Sequence, residues 1–517
     1  MMPAKQNSSL LPLQTVLDGL LEVDSDLRIA NLSVDARNIQ KDDVFIAVAG
    51  SQQHGLMYAE QAIQAGAVAI IYDPEAGGEF LAEKVKKAHS ISLFKLANLG
   101  EHISIMAARL YQFPSKELSV VGITGTNGKT SVSHFIAQAL NVQTNSSAII
   151  GTLGWGQVDD LKKTINTTPD AVSVQRQLAT LRDEGIATVA MEVSSHGLDQ
   201  GRVKAVAFKG AVFTNLTHDH LDYHQTLEAY GDAKLTLFKC PSLSFVVLNR
   251  DDAFSKRIKN ALSSSVKVYS FSRSSCCSTV ENCLFISNER LLATGLSFEL
   301  SFNGCTVQVH SELFGAFNID NLVASTAVLI AMGDELSVAV AKVEKVKAVE
   351  GRMQRVLVEG AKPEVVVDYA HTPDALRLAL QSLRQHCKGT LRLVFGCGGN
   401  RDEAKRPLMG AIADELADSI VITNDNPRFE SAEAIAEQIK AGISHVAKLT
   451  VTLDRGQAIQ QTIASAAKND IILVAGKGHE EYQQIQNEKI AFSDVAQVKD
   501  ALNASVLSEE GGHGCKP

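Results

Sequence analysis

Ser119-Val-Val-Gly-Ile-Thr-Gly-Thr-Asn-Gly-Lys-Thr-Ser-Val-Ser-His-Phe-Ile-Ala-Gln-Ala-Leu140 passes from an apolar run, through a glycine-rich turn, into a segment of helical period. Val120, Val121 and Ile123 suit a buried strand, and Val132, Phe135, Ile136, Ala139 and Leu140 fall on one helical face. Between them, Gly125 and Gly128 let the backbone approach a polyphosphate and aim N–H groups at it. Lys129 adds a full charge at a helix N-terminus, and Thr130 or Ser131 is placed to reach Mg²⁺. The stretch reads as an ATP-binding loop. Its spacing departs from G-x-x-x-x-G-K-[ST], because Ile123 stands where the first glycine belongs. The competing reading is a plain glycine-rich turn with a solvated lysine.

The chain has 517 residues, enough for about three domains. With 45% hydrophobic and 21% charged residues its composition is that of an ordinary globular protein. A net charge of −9 argues against a general nucleic-acid surface while allowing a local cationic pocket for an anionic substrate. No stretch is apolar for long enough to span a bilayer, so a cytoplasmic protein without membrane insertion is expected. The eight cysteines include no C-x-x-C pair and no zinc spacing, and no disulfide is expected among them.

Before the loop, Val44 to Val48, Tyr58 to Ala65 and Ala67 to Tyr72 read as strand, helix and strand of a small α/β unit. Its Gly50-Ser-Gln-Gln-His-Gly55 loop lies at a strand's carboxyl end, where open α/β sheets bind ligands or simply turn. After the loop, Ile186 to Met191 leads into Glu192-Val-Ser-Ser-His196, and Ala211 to Thr214 into Asn215-Leu-Thr-His-Asp-His220. In a parallel sheet these ends converge beside the phosphate loop. Glu192 and His218 are therefore candidate Mg²⁺ ligands, or else strand caps. His218-x-His220-x-Asp222 also resembles the start of a dinuclear zinc site, but Tyr223 stands where that motif has histidine. Asn318 and Asn321 share a helical face and suit an adenine edge or a helix cap. Beyond Glu350, strands at Val365 to Val367, Leu391 to Phe395, Ile420 to Thr423 and Ile471 to Ala475 each end in a polar loop. The loops are Asp368 to Pro373, Gly396 to Arg401, Asn424 to Arg428 and Gly476 to Glu480, and a doubly wound sheet would gather them at one edge.

Thr124 to Thr130, Glu192 to His196, Asn215 to His224, Phe317 to Asn321, Asp368 to Pro373 and Asp425 to Arg428, taken in order, resemble the Mur ligases. The resemblance implies an α/β protein of three domains. A small N-terminal α/β domain (1–98) would bind a nucleotide sugar, a central P-loop ATPase with a parallel-type sheet (99–349) would follow, and a Rossmann-like C-terminal domain (350–517) would take the amino acid. It implies an ATP-dependent ligase that adds meso-diaminopimelate to UDP-N-acetylmuramoyl-L-alanyl-D-glutamate in peptidoglycan synthesis, with Mg²⁺, and a monomer is expected. The implied ATP contacts are Gly125, Thr126, Asn127, Gly128, Lys129, Thr130, Ser131, Asn318 and Arg352. Thr130, Glu192, His218 and Lys234 would hold the metal, Lys234 as a carbamate, and Lys129, Glu192, His218 and Lys234 would carry the catalysis. Val34, Ser51, Gln52, Gln53, Asn166, Thr167, Thr168, Ser194, Gln200 and Arg202 match contacts to the UDP-muramoyl dipeptide, although Ala36 replaces a serine of the family pattern. Arg401, Asp425, Asn426, Pro427, Arg428, Gly476 and Glu480 match the diaminopimelate positions.

The chemistry agrees with that assignment. Joining a carboxylate to an amine in water needs an activated carboxyl, which ATP supplies as an acyl phosphate, and bringing two anions together calls for cations. Three rivals compete with it. Folylpolyglutamate synthase shares the ATPase and C-terminal pair but begins close to its phosphate loop. A lysine-adding Mur ligase would differ in its amino-acid pocket, and a non-catalytic nucleotide-binding module would not need Glu192, His218 and Lys234 beside Lys129.

Overall fold

The computed structural model describes residues 10–23, 26–50, 53–141, 146–292 and 294–511. They fall into two compact units, one running to residue 272 and including 327–334, the other made of 273–326 and the chain from 335 onward. The architecture is α/β with parallel sheets, as expected.

The first unit begins with four parallel strands, Asn31–Ser33, Asp43–Ala47, Ala69–Tyr72 and Ser92–Lys95, in sequence order. Alternate residues serve opposite faces. Leu32, Val44, Ile46, Ala69 and Ile71 join one core with the helix Leu99–Leu110, while Phe45, Ala47, Ile70 and Tyr72 join another. The expected helix Tyr58 to Ala65 is shorter, Ala59–Gln64, because Gly55–Tyr58 is a 3₁₀ turn capped by the His54 imidazole.

The main sheet of this unit sets Ser147–Gly151, Thr188–Glu192, Ser119–Thr124, Phe208–Phe213, Phe245–Asn249 and Lys267–Ser272 side by side and parallel. Strands buried on both faces read as unbroken apolar runs, which is why Val-Val-Gly-Ile could be recognised. The register pairs Glu192 with Ile123 and Phe213 with Thr124, so the carboxyl ends of three neighbouring strands lie together.

In the second unit, Glu364–Asp368, Ile471–Ala475, Leu391–Phe395, Ser419–Ile422 and Leu449–Val451 lie parallel in that spatial order, with Gln354–Val356 antiparallel at the edge. Val366, Leu393 and Leu473 face one core, and Val365, Val394 and Ile472 face the other, as a doubly wound sheet requires. A three-stranded antiparallel meander, Cys283–Leu292, Gly295–Phe302 and Cys305–Ser311, belongs to this unit and was not anticipated. The cysteine expectation is corrected as well: Cys277 and Cys283 form a disulfide, because the short 3₁₀ segment Ser275–Thr279 folds back on the start of the next strand.

Candidate functional site

The phosphate loop is built by close packing against its neighbour strand. Gly125 has φ +151°, and a Cβ there would lie 1.9 Å from Thr214 Oγ1, so only glycine fits. The Thr126 N–H donates to Asn215 O (2.9 Å), the Asn127 N–H to Asn215 Oδ1 (2.9 Å), and Thr214 Oγ1 donates to Asn127 O (2.6 Å). Helix Lys129–Asn141 starts directly behind this loop, and Lys129 Nζ donates to the carbonyls of Gly125 and Thr126, each at 2.9 Å.

Glu192 ends the adjacent strand and is fully buried. Its Oε2 accepts from Thr130 Oγ1 (2.9 Å) and Thr152 Oγ1 (3.2 Å), and its Oε1 from the Thr152 N–H (2.8 Å). All of these partners are neutral. A buried carboxylate beside a hydroxyl, with no basic group among its hydrogen-bond partners, suits a hard divalent cation that takes one carboxylate and fills its other positions from phosphate and water.

Residues 166–168, Ser194, Gln200 and Arg202, matched to the muramoyl dipeptide, form a hydrogen-bonded run beside Glu192. Thr152 Oγ1 and Thr167 Oγ1 are 3.0 Å apart, and Thr168 Oγ1 donates to Glu192 O (3.0 Å) and accepts from the Ser194 N–H (2.9 Å). Arg202 donates to Thr168 O (2.7 Å) and Gln200 Oε1 (2.6 Å), while Gln200 donates to Tyr223 Oη (3.3 Å). Asn166 lies in the same loop, its carbonyl accepting from Thr164 Oγ1 (3.2 Å).

Lys234 is almost fully buried in the helix Leu227–Leu235, with Nζ 4.2 Å above the Tyr230 ring and donating to Gly125 O (2.9 Å). Burial, reinforced by the Lys129 charge, holds its pKa well below the ordinary lysine value. The amine is thus more often neutral, the form that captures carbon dioxide.

His218 and His220 are both exposed at the site's edge; His220, at φ +53°, packs edge-on against His196 (4.9 Å) and Tyr230 (6.0 Å). Desolvation lowers the His220 pKa, Asp219 opposes that, and His196 and the charges of Lys129 and Lys234 lower it further, so the ring lies within electrostatic reach of both lysines. Thr152, Asn215, His220 and Tyr230 were missed as site residues; Asn215 and His220 already lay in the polar run after Phe213. Among the described residues no group of three or more His, Cys, Asp or Glu side chains is arranged to hold a metal ion.

In the N-terminal part of this unit, Val34 packs at the edge of the first core and Ala36 is buried. Gln53 Oε1 accepts from Tyr58 Oη (3.1 Å), while Ser51 and Gln52 lie outside the described residues.

The second unit brings side chains of its strand-end loops into polar contact, the candidate amino-acid pocket. Lys477, fully buried, donates to Glu480 Oε2 (2.9 Å) and Asn426 Oδ1 (3.2 Å), and Asn426 Nδ2 donates to the same Glu480 oxygen (2.8 Å). Arg428, at φ +52°, is held by backbone bonds to Gln484 and Gln486, and its guanidinium donates to Gly399 O (2.7 Å). Both Arg428 and the exposed Arg401 flank Gly398, and Pro427 O lies against Gly399. Burial raises the Asp425 pKa against the opposing charges of Arg455 and Lys477. Arg352 stacks over Tyr369 (4.7 Å), and a Cβ on the preceding Gly351 would meet the His479 backbone nitrogen at 2.2 Å, so Arg352 lies beside these loops. Asn318 is buried in the helix Phe317–Ala331, donating to Phe314 O (2.7 Å) and accepting from Asn321 Nδ2 (2.9 Å). In this structure the two amides bond to the helix and to each other.

Three family models match in chain order: the Mur ligase family catalytic domain at 28–93, the Mur ligase middle domain at 123–329, and the Mur ligase glutamate ligase domain at 351–478. The UDP-N-acetylmuramoyl-L-alanyl-D-glutamate–2,6-diaminopimelate ligase of Pseudomonas aeruginosa is 43% identical over 93% of this chain and 97% of its own. A solved structure of a ligase of that name aligns with TM-score 0.69 and 33% identity, covering 96% of this chain and 99% of that one. Folylpolyglutamate synthase of Mycobacterium tuberculosis, solved with ADP and AMPPCP, shares the fold at TM-score 0.57 and 17% identity, over 72% of this chain and 92% of its own.

Proposed function

The chain belongs to the Mur ligase family, and on that premise we propose that it is the ATP-dependent ligase adding meso-diaminopimelate to UDP-N-acetylmuramoyl-L-alanyl-D-glutamate in peptidoglycan precursor synthesis. The observation that carries this reading is Glu192. One buried carboxylate touches Thr130, at the base of the phosphate loop, and Thr152, whose hydroxyl meets Thr167 of the dipeptide set. A phosphate donor and a carboxylate acceptor bound on those two sides would meet there.

The dipeptide carboxylate takes the γ-phosphoryl group of ATP as an acyl phosphate and ADP leaves; the neutral amine of the amino acid then attacks the carbonyl, a proton is lost, and phosphate leaves. Lys129, at the helix N-terminus, offsets the charge on the transferring phosphoryl group. Thr130, Glu192, His218 and Lys234 as its carbamate are assigned to Mg²⁺ on the family resemblance, with His220, within electrostatic reach of Lys129 and Lys234, as the alternative imidazole. When bound, that ion supplies charge neutralisation between the two anions. Arg202, Gln200, Ser194, Thr167 and Thr168 orient the dipeptide. Asn318 and Arg352 keep their assignment to ATP on the family resemblance. Arg401, Asp425 to Arg428, Gly476 and Glu480 receive the amino acid.

The division at 98/99 and 349/350 is likewise proposed, each matched family segment falling inside one of the three parts. No helix among the described residues is long and apolar enough to cross a membrane. Action in the cytoplasm, as a monomer, is proposed with the reaction, since ATP and the nucleotide precursor are found there. The test is ADP release with a panel of nucleotide precursors and amino acids; turnover with a precursor other than the muramoyl dipeptide, or none with diaminopimelate, would refute the assignment.

A further inference from the structure

Arg455 takes no part in that reaction, yet its side chain is fully buried and makes four hydrogen bonds. Nε and one terminal nitrogen form a fork on Asp494, at 2.7 and 2.8 Å, and Asp494 is fully buried too. The same terminal nitrogen donates to Ala475 O (2.9 Å) and the other to Asn424 O (3.2 Å). These carbonyls are not arbitrary. Ala475 is the last residue of the strand Ile471–Ala475 and directly precedes Gly476, and Asn424 directly precedes Asp425. The two loops that supply most of the candidate amino-acid pocket therefore leave the sheet under one guanidinium. They need that registration, because a Cβ on Gly476 would lie 2.7 Å from Asp425 Oδ2.

A buried ion pair is a poor source of stability, since desolvation offsets much of its attraction and apolar replacements often do as well. What the pair does supply is geometry. A planar guanidinium directs a rigid fork at three groups, the Asp494 carboxylate and the carbonyls of Ala475 and Asn424, which a lysine ammonium cannot reproduce. We propose that Arg455, oriented by Asp494, is a positioning residue for amino-acid recognition: it sets the spacing between the Asp425–Arg428 and Gly476–Glu480 loops. The proposal rests on reading that pocket as the diaminopimelate site.

The test uses the full chain, measuring ADP release with each substrate varied in turn at saturating levels of the other two, for Arg455→Lys and for Arg455→Met/Asp494→Leu, beside Arg428→Ala. The double variant removes both charges and keeps apolar bulk, so it should melt near the wild-type temperature. In both Arg455 variants KM for diaminopimelate should rise about tenfold or more while KM for ATP stays within about twofold, because small misplacements of binding groups are costly. An unchanged diaminopimelate KM overturns the proposal. So does equal weakening toward all three substrates, or loss of folding in both variants, which would mark plain structural support. If Arg428→Ala also leaves that KM unchanged, the pocket assignment has failed and the positioning role falls with it; if Arg428→Ala alone raises it, only the positioning role fails.

Discussion

Lys234 Nζ donates to the carbonyl of Gly125 at 2.9 Å, so a buried helix lysine is tied to the first glycine of the phosphate loop. Burial and the Lys129 charge favour its neutral form, which can add carbon dioxide and become an anion. Lys234→Ala should lose roughly a hundredfold or more in kcat if that anion helps offset the charge of the site. Acetate or another short carboxylate should restore part of the loss. Full activity of the variant without added carboxylate would remove Lys234 from the mechanism.

Lys129→Ala removes the charge aimed at the transferring phosphate. The side chain is only partly buried and bonds to two loop carbonyls, so the fold should persist. Losing one such electrostatic contact should cost about 3 kcal/mol or more, over a hundredfold in rate. The measurement is ADP release from variant protein whose circular dichroism matches wild type; near-normal turnover contradicts the assignment.

How far the sequence could be read depends on the kind of signal each residue leaves. Strands Leu391–Phe395 and Ile471–Ala475 were read to the residue, because burial on both faces of a parallel sheet leaves an uninterrupted apolar run ended by a polar loop. The meander at Cys283–Ser311 is half exposed, and its mixed polar text carries no such mark. Choosing between His218 and His220 is beyond pattern reading, since both stand in one polar run, and the left-handed turn at His220 leaves no mark in the text. Arg455 was invisible for a related reason: an arginine opening an amphipathic helix reads as a solvated charge until Asp494, 39 residues later, is found on its guanidinium.

His479 gives a pH signature. Burial, with the Arg352 charge second, pushes its imidazole down to about 4 from an ordinary 6.5. The folded chain therefore resists a proton that the unfolded chain binds, and between pH 6.5 and 4 the unfolded state holds more protons. Stability rises with pH across that window and is lost as pH falls through it, by roughly 3 kcal/mol once pH is below both values. His479→Gln should flatten this limb. Melting temperatures at pH 7.5 and 5 should fall less for the variant than for wild type, and an identical fall in both counts against the assignment.

Gly476→Ala should affect both folding and recognition. The residue sits at φ +113°, and its new methyl would press on the buried Asp425 carboxylate. Backbone strain of this kind costs about 1–3 kcal/mol. A lower melting temperature together with a raised diaminopimelate KM is expected; a change in melting alone would detach Gly476 from the pocket.

Amino-acid choice is the last prediction and rests on Arg428. Diaminopimelate differs from lysine by one distal carboxylate, and a guanidinium binds a carboxylate through two charge-assisted hydrogen bonds. The Arg428 backbone is pinned between Gln484 and Gln486, and its guanidinium already donates to Gly399 O, so the side chain is held in place rather than free to swing into solvent. Lysine in the pocket would leave that partly buried charge without its anion, and sites built around such a polar group discriminate by a factor of roughly 10⁴ or more. Removing the guanidinium should cost most of that factor, through a weaker kcat/KM for diaminopimelate rather than better use of lysine. The folded backbone should survive Arg428→Ala, since its left-handed conformation is set by main-chain bonds. The measurement is ADP release with meso-diaminopimelate against L-lysine for both proteins. Equal use of the two amino acids by wild type would show that the distal carboxylate is not read at all, and unchanged discrimination in the variant would show that another residue reads it.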